Sequence, residues 1–179
     1  MALIQYQITD SKVYPYNLQY PELYQKIKDL ITQLLPNLEI EHIGSTAIPG
    51  IYSKPITDIL IPCFQADFDY IISQLKNIGF QATPFKNIPE DRPMLVAGIN
   101  YQQKFYNIHV HLTPRNSEVH LDNIYFREQL CQNPKLAKEY ERIKKETVAA
   151  GLVEPTEYNL AKSPFIKSIL INRNKELYQ

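Results

Sequence analysis

The chain has 179 residues, and its 19 Lys and Arg residues balance its 19 Asp and Glu residues, so the formal net charge is zero. This length favours a single domain, predicted here over residues 1–179, with room for a substantial core. The charge balance argues against a polynucleotide partner, because such binding depends on excess positive charge, and a hydrophobic content of 44% argues against disorder.

The chain begins with an extended arm that leads into a helix. Residues 13–20 are rich in Tyr and run up to Pro21, which suits the first turn of a helix. Apolar residues then recur at helical spacing as far as Leu35, and Pro36 marks the end. The pattern predicts one amphipathic helix with one face against the core.

Strands dominate the middle of the chain. Alternating apolar residues predict a short strand over residues 38–43, and an apolar run predicts a buried strand over residues 57–61. A helix is expected from about residue 66 to residue 77. Residues 94–100 and 104–112 then predict an antiparallel pair joined by a short turn.

The last third of the chain is predicted to be helical. Asn133 followed by Pro134 is a strong start signal, and Gly151 ends that helix. A final helix begins near Thr156, and Pro164 either kinks it or opens a second segment. This order of elements predicts an α+β or α/β domain, with a mixed sheet flanked by helices and a helical C-terminal part.

A turn of small residues precedes the buried strand and suits an anion. The backbone N–H groups of Gly44, Ser45 and Thr46 can approach a phosphate closely, and a helix beginning there would add its dipole. Thirteen positions after Ser45, Asp58 lies within the apolar strand, where a carboxylate is costly unless it binds a metal or a cation. The alternative is structural: the turn caps a helix, and Asp58 caps a backbone group or pairs with Lys54.

Two histidines occur at alternate positions of a predicted strand. His109 and His111 therefore share one side of that strand. Two imidazoles in this arrangement can reach one metal ion or one phosphate. The alternative is an exposed strand face that merely tolerates histidine.

Three basic residues lie among apolar or aromatic neighbours. Of these, Arg127 suits bidentate contact with phosphate, and Lys144 and Lys162 offer further positive charge. Taken one at a time, and for Lys144 above all, they are better explained as solvated helix faces whose stems pack on apolar surface.

Signals for export or membrane insertion are not evident in the sequence. The N-terminus lacks the basic start and apolar run of a signal peptide, and the longest apolar stretch is far shorter than the roughly 20 residues of a spanning helix. Cys63 and Cys131 lie far apart, so one disulfide is conceivable but a reducing compartment fits better. We expect a cytoplasmic protein with no membrane partner; the sequence does not predict its oligomeric state.

The residues from the turn to the buried strand, EHIGSTAIPGIYSKPITDILI, resemble the GrpB family of small bacterial proteins with a nucleotidyltransferase fold. The resemblance continues in order through VYPYNLQYPELYQ, IHVHL, YFREQL and EYNLAKSPFIKSIL. It implies that Gly44 and Ser45 match the turn that grips a nucleoside triphosphate. It also implies that Asp58 matches the first of the carboxylates that hold divalent ions, usually magnesium. Lys54 matches a GrpB position without a role that can be transferred.

Active members of the nucleotidyltransferase superfamily carry a second Asp or Glu two residues after the first carboxylate. This sequence departs from that pattern, because Leu60 occupies the position. A third carboxylate is not evident either, because His109 and His111 occupy the strand expected to carry it. A centre built on one Asp and two His would prefer a softer ion than magnesium. The GrpB pattern shares this departure.

Two hypotheses follow. The first is an enzyme that transfers a nucleotidyl group to a small acceptor with a divalent metal (Mg, Mn or Zn), in which a histidine completes the metal site or acts as base. The second is a non-catalytic module that binds a nucleotide or a coenzyme A-type ligand, accessory to coenzyme A metabolism; the resemblance suggests it, since some GrpB relatives are joined to a dephospho-coenzyme A kinase. The candidate catalytic and metal-ligating residues are Asp58, His109 and His111, and the candidate phosphate-binding residues are Gly44, Ser45, Thr46, Lys54, Arg127 and Lys162.

Overall fold

The structure, a computed structural model, describes residues 2–8 and 12–176, with side chains as far as Arg173. The ends of the predicted domain therefore lie outside the described residues. The helices and strands are, in chain order, α1 (Tyr20–Leu34), β1 (Glu41–Ile43), β2 (Ile56–Cys63), α2 (Phe68–Asn77), β3 (Gln81–Ala82), β4 (Met94–Tyr101), β5 (Lys104–Pro114), α3 (Glu118–Gln132), α4 (Pro134–Ala149) and α5 (Pro155–Glu176).

The strands form one mixed sheet in the order β1-β2-β5-β4-β3. The central pair, β2 and β5, is parallel, and the other neighbours are antiparallel. The register places Asp58 beside His109 on one side and beside Ile43 on the other. A mixed sheet flanked by helices, with a helical C-terminal part, confirms the predicted α+β class.

One face of the sheet is covered by α1 and α2 and forms the main core. Alternate residues of the two central strands, such as Ile59 and Val110, point into this core and are fully buried. Because side chains alternate across a strand, the residues between them face the other way. Asp58, His109 and His111 consequently share the face that these two helices leave open.

A second apolar cluster holds the C-terminal helices together and joins them to the segment after the turn. It contains Ile48 and Ile51 from that segment, together with residues of α3, α4 and α5 such as Tyr140 and Phe165. The final helix continues through Pro164 without a break, so Pro164 does not open a second segment. The helical part thus borders the open face of the sheet.

The sequence reasoning did not single out α3 as an element. Its residues show no apolar stripe, and the buried side chains on it are His120 and Leu130. Its start is nevertheless capped, because the Ser117 side chain accepts a hydrogen bond from the His120 N–H. A capping serine without a periodic pattern is too weak a signal to predict a helix.

Neither cysteine forms a disulfide: Cys63 is a buried free thiol and Cys131 an exposed one. Within the part of the chain that the structure describes, no helix has the length and the apolar content that crossing a membrane would require. The cytoplasmic location stays a prediction.

Candidate functional site

A carboxylate and two imidazoles meet at the centre of the open sheet face. Asp58 Oδ1 lies 3.2 Å from His109 Nδ1 and 3.6 Å from His111 Nε2. One potential ligand atom from each residue lies within 4.8 Å of the other two. The three side chains that the sequence grouped together therefore lie within reach of a single ion; that they bind one stays a prediction.

The charge of this cluster suits a cation. Burial raises the pKa of Asp58, but hydrogen bonds and charge interactions with His109 and His111 outweigh it and hold that pKa below its usual value. The carboxylate is thus ionised at neutral pH, with a quarter of its side chain exposed. Two imidazoles and one carboxylate fit manganese, iron or zinc better than magnesium, which prefers oxygen ligands. Among residues 2–8 and 12–176, no other group of three His, Cys, Asp or Glu side chains converges in this way.

The glycine of the turn lies directly against this carboxylate. Gly44 has a φ of 71° and a ψ of −171°, a conformation that is essentially restricted to glycine. A Cβ added there would overlap Asp58 Oδ2 and approach Asp58 Cβ to 3.1 Å. The turn continues as a single 3-10 segment, Ser45–Ala47, so no α-helix dipole adds to the anion site. An anion at this turn would meet individual N–H groups and side chains instead.

The two hydroxyls of the turn have different surroundings. Ser45 is partly exposed and forms a hydrogen bond with the hydroxyl of Tyr140 on α4. Thr46 is buried, and its hydroxyl donates to the Ile56 carbonyl at 3.1 Å and lies 3.0 Å from His42 Nε2. Thr46 was predicted to contact phosphate, but in the structure its hydroxyl forms hydrogen bonds with other groups of the protein. Its position is that of a residue that holds the turn against β1 and β2.

His42 contacts the turn through Thr46, and its side chain is neutral at pH 7. Burial lowers its pKa to about 4, although Asp58 opposes that shift. Its ring stacks on Tyr24 with centroids 4.7 Å apart. The single proton of the Thr46 hydroxyl is given to Ile56, so the ring nitrogen of His42 must donate to Thr46.

Two lysines place positive charge beside the cluster. The Nζ atoms of Lys54 and Lys162 lie 4.1 Å and 4.2 Å from the centre of the Tyr158 ring. Burial lowers the pKa of Lys54, and burial together with the charge of Lys54 lowers the pKa of Lys162 to about 8, although Asp58 opposes both shifts. The two lysines thus share one aromatic ring, and the charge of Asp58 favours the protonated form of both. An anion placed between them would favour the charged lysines.

The other two basic candidates are bound to the protein itself. Lys144 is buried and donates to the Tyr52 carbonyl, which supports its structural interpretation. Arg127 donates to Glu41 at 2.6 Å and to the His42 carbonyl at 3.0 Å, so it fastens α3 to β1. Its contact with phosphate was predicted from residue type alone and stays a prediction.

At the position of the missing second carboxylate, the structure has a buried apolar side chain. Leu60 is buried on the same face as Asp58, and Glu41 lies beside it in the neighbouring strand. Glu41 cannot take over the role freely, because its carboxylate is ion-paired with Arg127. The cluster is therefore a centre with one acidic ligand.

Sequence reasoning missed three tyrosines at the site. Tyr158 and Tyr140 each precede a lysine by four residues, Lys162 and Lys144, and this helical spacing was a usable signal because such residues are neighbours on one face. Tyr6 places its hydroxyl 3.1 Å from a ring nitrogen of one site histidine. Nothing in the local sequence around Tyr6 indicates that contact.

Comparison with known proteins gives a consistent result. A family model described as GrpB protein matches residues 10–172. The UPF0157 protein YqkA of Bacillus subtilis is 30% identical over 162 residues, covering 86% of this chain but only 44% of YqkA, so the chain spans less than half of that relative. Glutamate-rich protein GrpB of Alkalihalophilus pseudofirmus is 27% identical over 156 residues, covering 84% of this chain and 88% of the relative.

Solved structures include a similar fold. The crystal structure of conserved protein GrpB from Enterococcus faecalis has a TM-score of 0.75 at 26% identity, covering 94% of this chain and 100% of that chain. A structure of the Cid1 poly(U) polymerase with MgGTP bound has a TM-score of 0.49 at 14% identity, covering 73% of this chain and 42% of that chain. The Enterococcus faecalis protein shares the fold described above.

Proposed function

Because the chain belongs to the GrpB family, we propose that it is a nucleotidyltransferase-like protein that binds a nucleotide with a divalent metal ion and transfers the nucleotidyl group to a small acceptor. The observation that carries this proposal is the meeting of Asp58, His109 and His111 on one sheet face, directly against Gly44. A turn that approaches phosphate and a cluster that suits a cation are the two halves of a metal–nucleotide site.

The metal half consists of Asp58, His109 and His111. A divalent ion held there would neutralise phosphate charge and favour ionisation of the acceptor hydroxyl. The donor set favours manganese or zinc over magnesium, because two of its three ligands are imidazoles. Asp58 supplies the one negative charge, so its removal should abolish binding of the ion.

The phosphate half consists of the turn and the lysine pair. Gly44 allows the backbone to lie close to the ligand, and Ser45 adds a partly exposed hydroxyl. Lys54 and Lys162 face the same ring near Asp58, where a polyphosphate would offset their mutual repulsion. In the transfer step, the acceptor hydroxyl loses its proton to water, its oxygen forms a bond to the α-phosphorus, and the bond to the departing pyrophosphate breaks.

The first experiment measures binding. Calorimetric titration with ATP, in the presence of Mn²⁺, Zn²⁺ or Mg²⁺, should show tighter binding with the first two ions. Asp58→Asn should lose the metal-dependent part of that affinity. Asp29→Asn is the matched control, because Asp29 is exposed on α1 at the opposite face of the sheet. Equal behaviour of the two variants would contradict the proposed metal site.

The second experiment measures transfer. The protein is incubated with nucleoside triphosphates labelled at the α-phosphate and with a pool of small hydroxyl-bearing metabolites. We expect a labelled product that requires the metal and disappears in Asp58→Asn. Transfer that survives in that variant would remove Asp58 from the reaction.

The buried Leu60 at the second carboxylate position favours a second candidate function, a non-catalytic module for a nucleotide or coenzyme A-type ligand. Binding would then rest on the turn and the lysines alone. Titration with ATP and with dephospho-coenzyme A in the presence of a chelator tests this. Affinity that persists without metal and in Asp58→Ala, together with no transfer, would favour the module over the enzyme.

A further inference from the structure

The N-terminal segment crosses the open face of the sheet close to the site. We call residues 3–7 the strap. Ile4 and Gly98 of β4 exchange two backbone hydrogen bonds of 2.8 Å. A Cβ at Gly98 would lie 2.5 Å from the Gln5 carbonyl oxygen, so the strap passes directly over this glycine.

Side chains of the sheet hold the strap along its length. Gln81 of β3 accepts from the Tyr6 N–H at 3.3 Å and donates to the Ile4 carbonyl at 3.2 Å. Asn107 of β5 accepts from the Gln7 N–H at 3.3 Å and donates to the Gln7 carbonyl at 2.8 Å. The strap is thus a fixed part of this face, anchored by hydrogen bonds at Ile4, at the Tyr6 N–H and at Gln7.

Tyr6 lies over one of the site histidines. Its hydroxyl is 3.1 Å from His109 Nε2, and the two rings have centroids 5.6 Å apart. The Phe85 ring packs edge-on against both, at 6.1 Å from Tyr6 and 5.9 Å from His109. The imidazole is therefore held on three sides, by Tyr6, Phe85 and Asp58.

The two nitrogens of His109 have separate partners, which fixes how the ring would bind an ion. Nδ1 faces Asp58, so an ion shared with that carboxylate takes the lone pair of Nδ1. The ring proton must then reside on Nε2, which faces the Tyr6 oxygen. A ligating histidine nearly always donates its second N–H to an acceptor, and this outer contact orients the ring.

We propose that Tyr6 is a positioning residue of the metal site, and that its hydroxyl accepts the Nε2–H of His109 when Nδ1 binds the ion. The inference rests on the proposed metal site at Asp58, His109 and His111. Coupling between ion binding and the packing of the strap is reciprocal. An ion at the site therefore also strengthens the attachment of the strap to the sheet. The N-terminal segment, outside the core elements, is thereby part of the site.

The test measures the affinity for Zn²⁺ alone by calorimetry. Tyr6→Phe removes one oxygen and keeps the ring, and it should weaken Zn²⁺ binding by about 10–100-fold, the usual effect of losing an outer-shell partner. Tyr70→Phe is the matched control, because Tyr70 is exposed on α2 behind the sheet. Gln81→Ala loosens the strap without touching a ligand, and it should weaken binding in the same direction.

A spectroscopic measurement separates this role from a general loss of structure. In the Zn²⁺-loaded wild-type protein, nitrogen-15 NMR should place the His109 ring proton on Nε2, with a resonance protected from exchange. Tyr6→Phe should lose that protection while keeping its fold. Protection of the Ile4 and Gly98 amides from hydrogen exchange should rise on adding Zn²⁺, and this rise should vanish in Asp58→Asn.

The outcomes distinguish the inference from the proposed function. Zn²⁺ affinity within twofold of wild type in Tyr6→Phe, or a ring proton on Nδ1 in the loaded protein, would overturn the role of Tyr6 and leave the metal site standing. A wild-type protein that does not bind Zn²⁺ or Mn²⁺ would overturn both.

Discussion

Adding one methyl group at Gly44 should damage the site and the fold together. The backbone conformation of Gly44, with φ 71° and ψ −171°, costs other residues about 1–3 kcal/mol. The new Cβ would also overlap Asp58 Oδ2. Overpacking of this kind costs about 1–3 kcal/mol more, since Asp58 is held by two histidines and cannot move freely. Gly44→Ala should therefore lower the free energy of unfolding by about 4 kcal/mol.

Gly50→Ala is the matched control in the same segment. Gly50 has a φ of 79°, but a Cβ there would meet no atom within 4 Å. It should lose only about 1–2 kcal/mol through backbone strain. In a chain of this size 1 kcal/mol shifts Tm by about 2–4 °C, so we expect losses of about 8–16 °C for Gly44→Ala and about 2–8 °C for Gly50→Ala. Equal losses by calorimetry, or Zn²⁺ affinity unchanged in Gly44→Ala, would refute the close packing of turn and carboxylate.

Four other predictions concern the charged residues. The wild-type free energy of unfolding should rise between about pH 7 and about pH 10, because burial lowers the pKa of Lys144 to about 7 and the unfolded chain binds more protons there. Lys144→Met should show a shallower rise in urea denaturation, and an unchanged slope would contradict the assignment. Lys162→Gln should weaken ATP binding about tenfold, or about 1.4 kcal/mol, whereas Lys167→Gln on the exposed side of α5 should not. Near pH 8 the wild-type protein should take up protons on binding ATP, measured by calorimetry in buffers of different ionisation enthalpy, because phosphate favours the charged form of Lys162. Arg127→Gln should lower the free energy of unfolding by about 1.5–3 kcal/mol, whereas Arg142→Gln should change it much less, because the Arg142 ion pair is exposed to solvent; the reverse order would show that Arg127 is no anchor.

The local periodicity of the sequence predicted much of the sheet and the grouping of the central residues of the site. The twofold repeat of a strand places His109 and His111 on one side whatever the fold. The apolar run around Asp58 predicted a buried strand, which the structure confirms as β2. What periodicity cannot supply is the pairing of β2 with β5, because that depends on how the whole intervening chain packs.

The remaining roles depend on partners that are distant in sequence. Residue type alone made Arg127 and Thr46 suitable for phosphate, but Glu41 and the Ile56 carbonyl engage them in the folded chain. Tyr6 shows the converse, since a tyrosine in an unremarkable N-terminal segment gains its meaning only from the crossing at β4. A polar side chain can be matched to a ligand only after its internal partners are known.

The parallel pairing of β2 with β5 makes the polar cluster sensitive to the register of these two strands. If β5 slipped by one residue along β2, His109 and His111 would turn toward the helices behind the sheet, and apolar residues would turn toward Asp58. Each misregistered sheet would bury two imidazoles and leave the carboxylate without its hydrogen-bond donors. The polar cluster thus penalises wrong registers that hydrophobic packing alone would penalise less, and its three side chains come together only when the strands are correctly aligned.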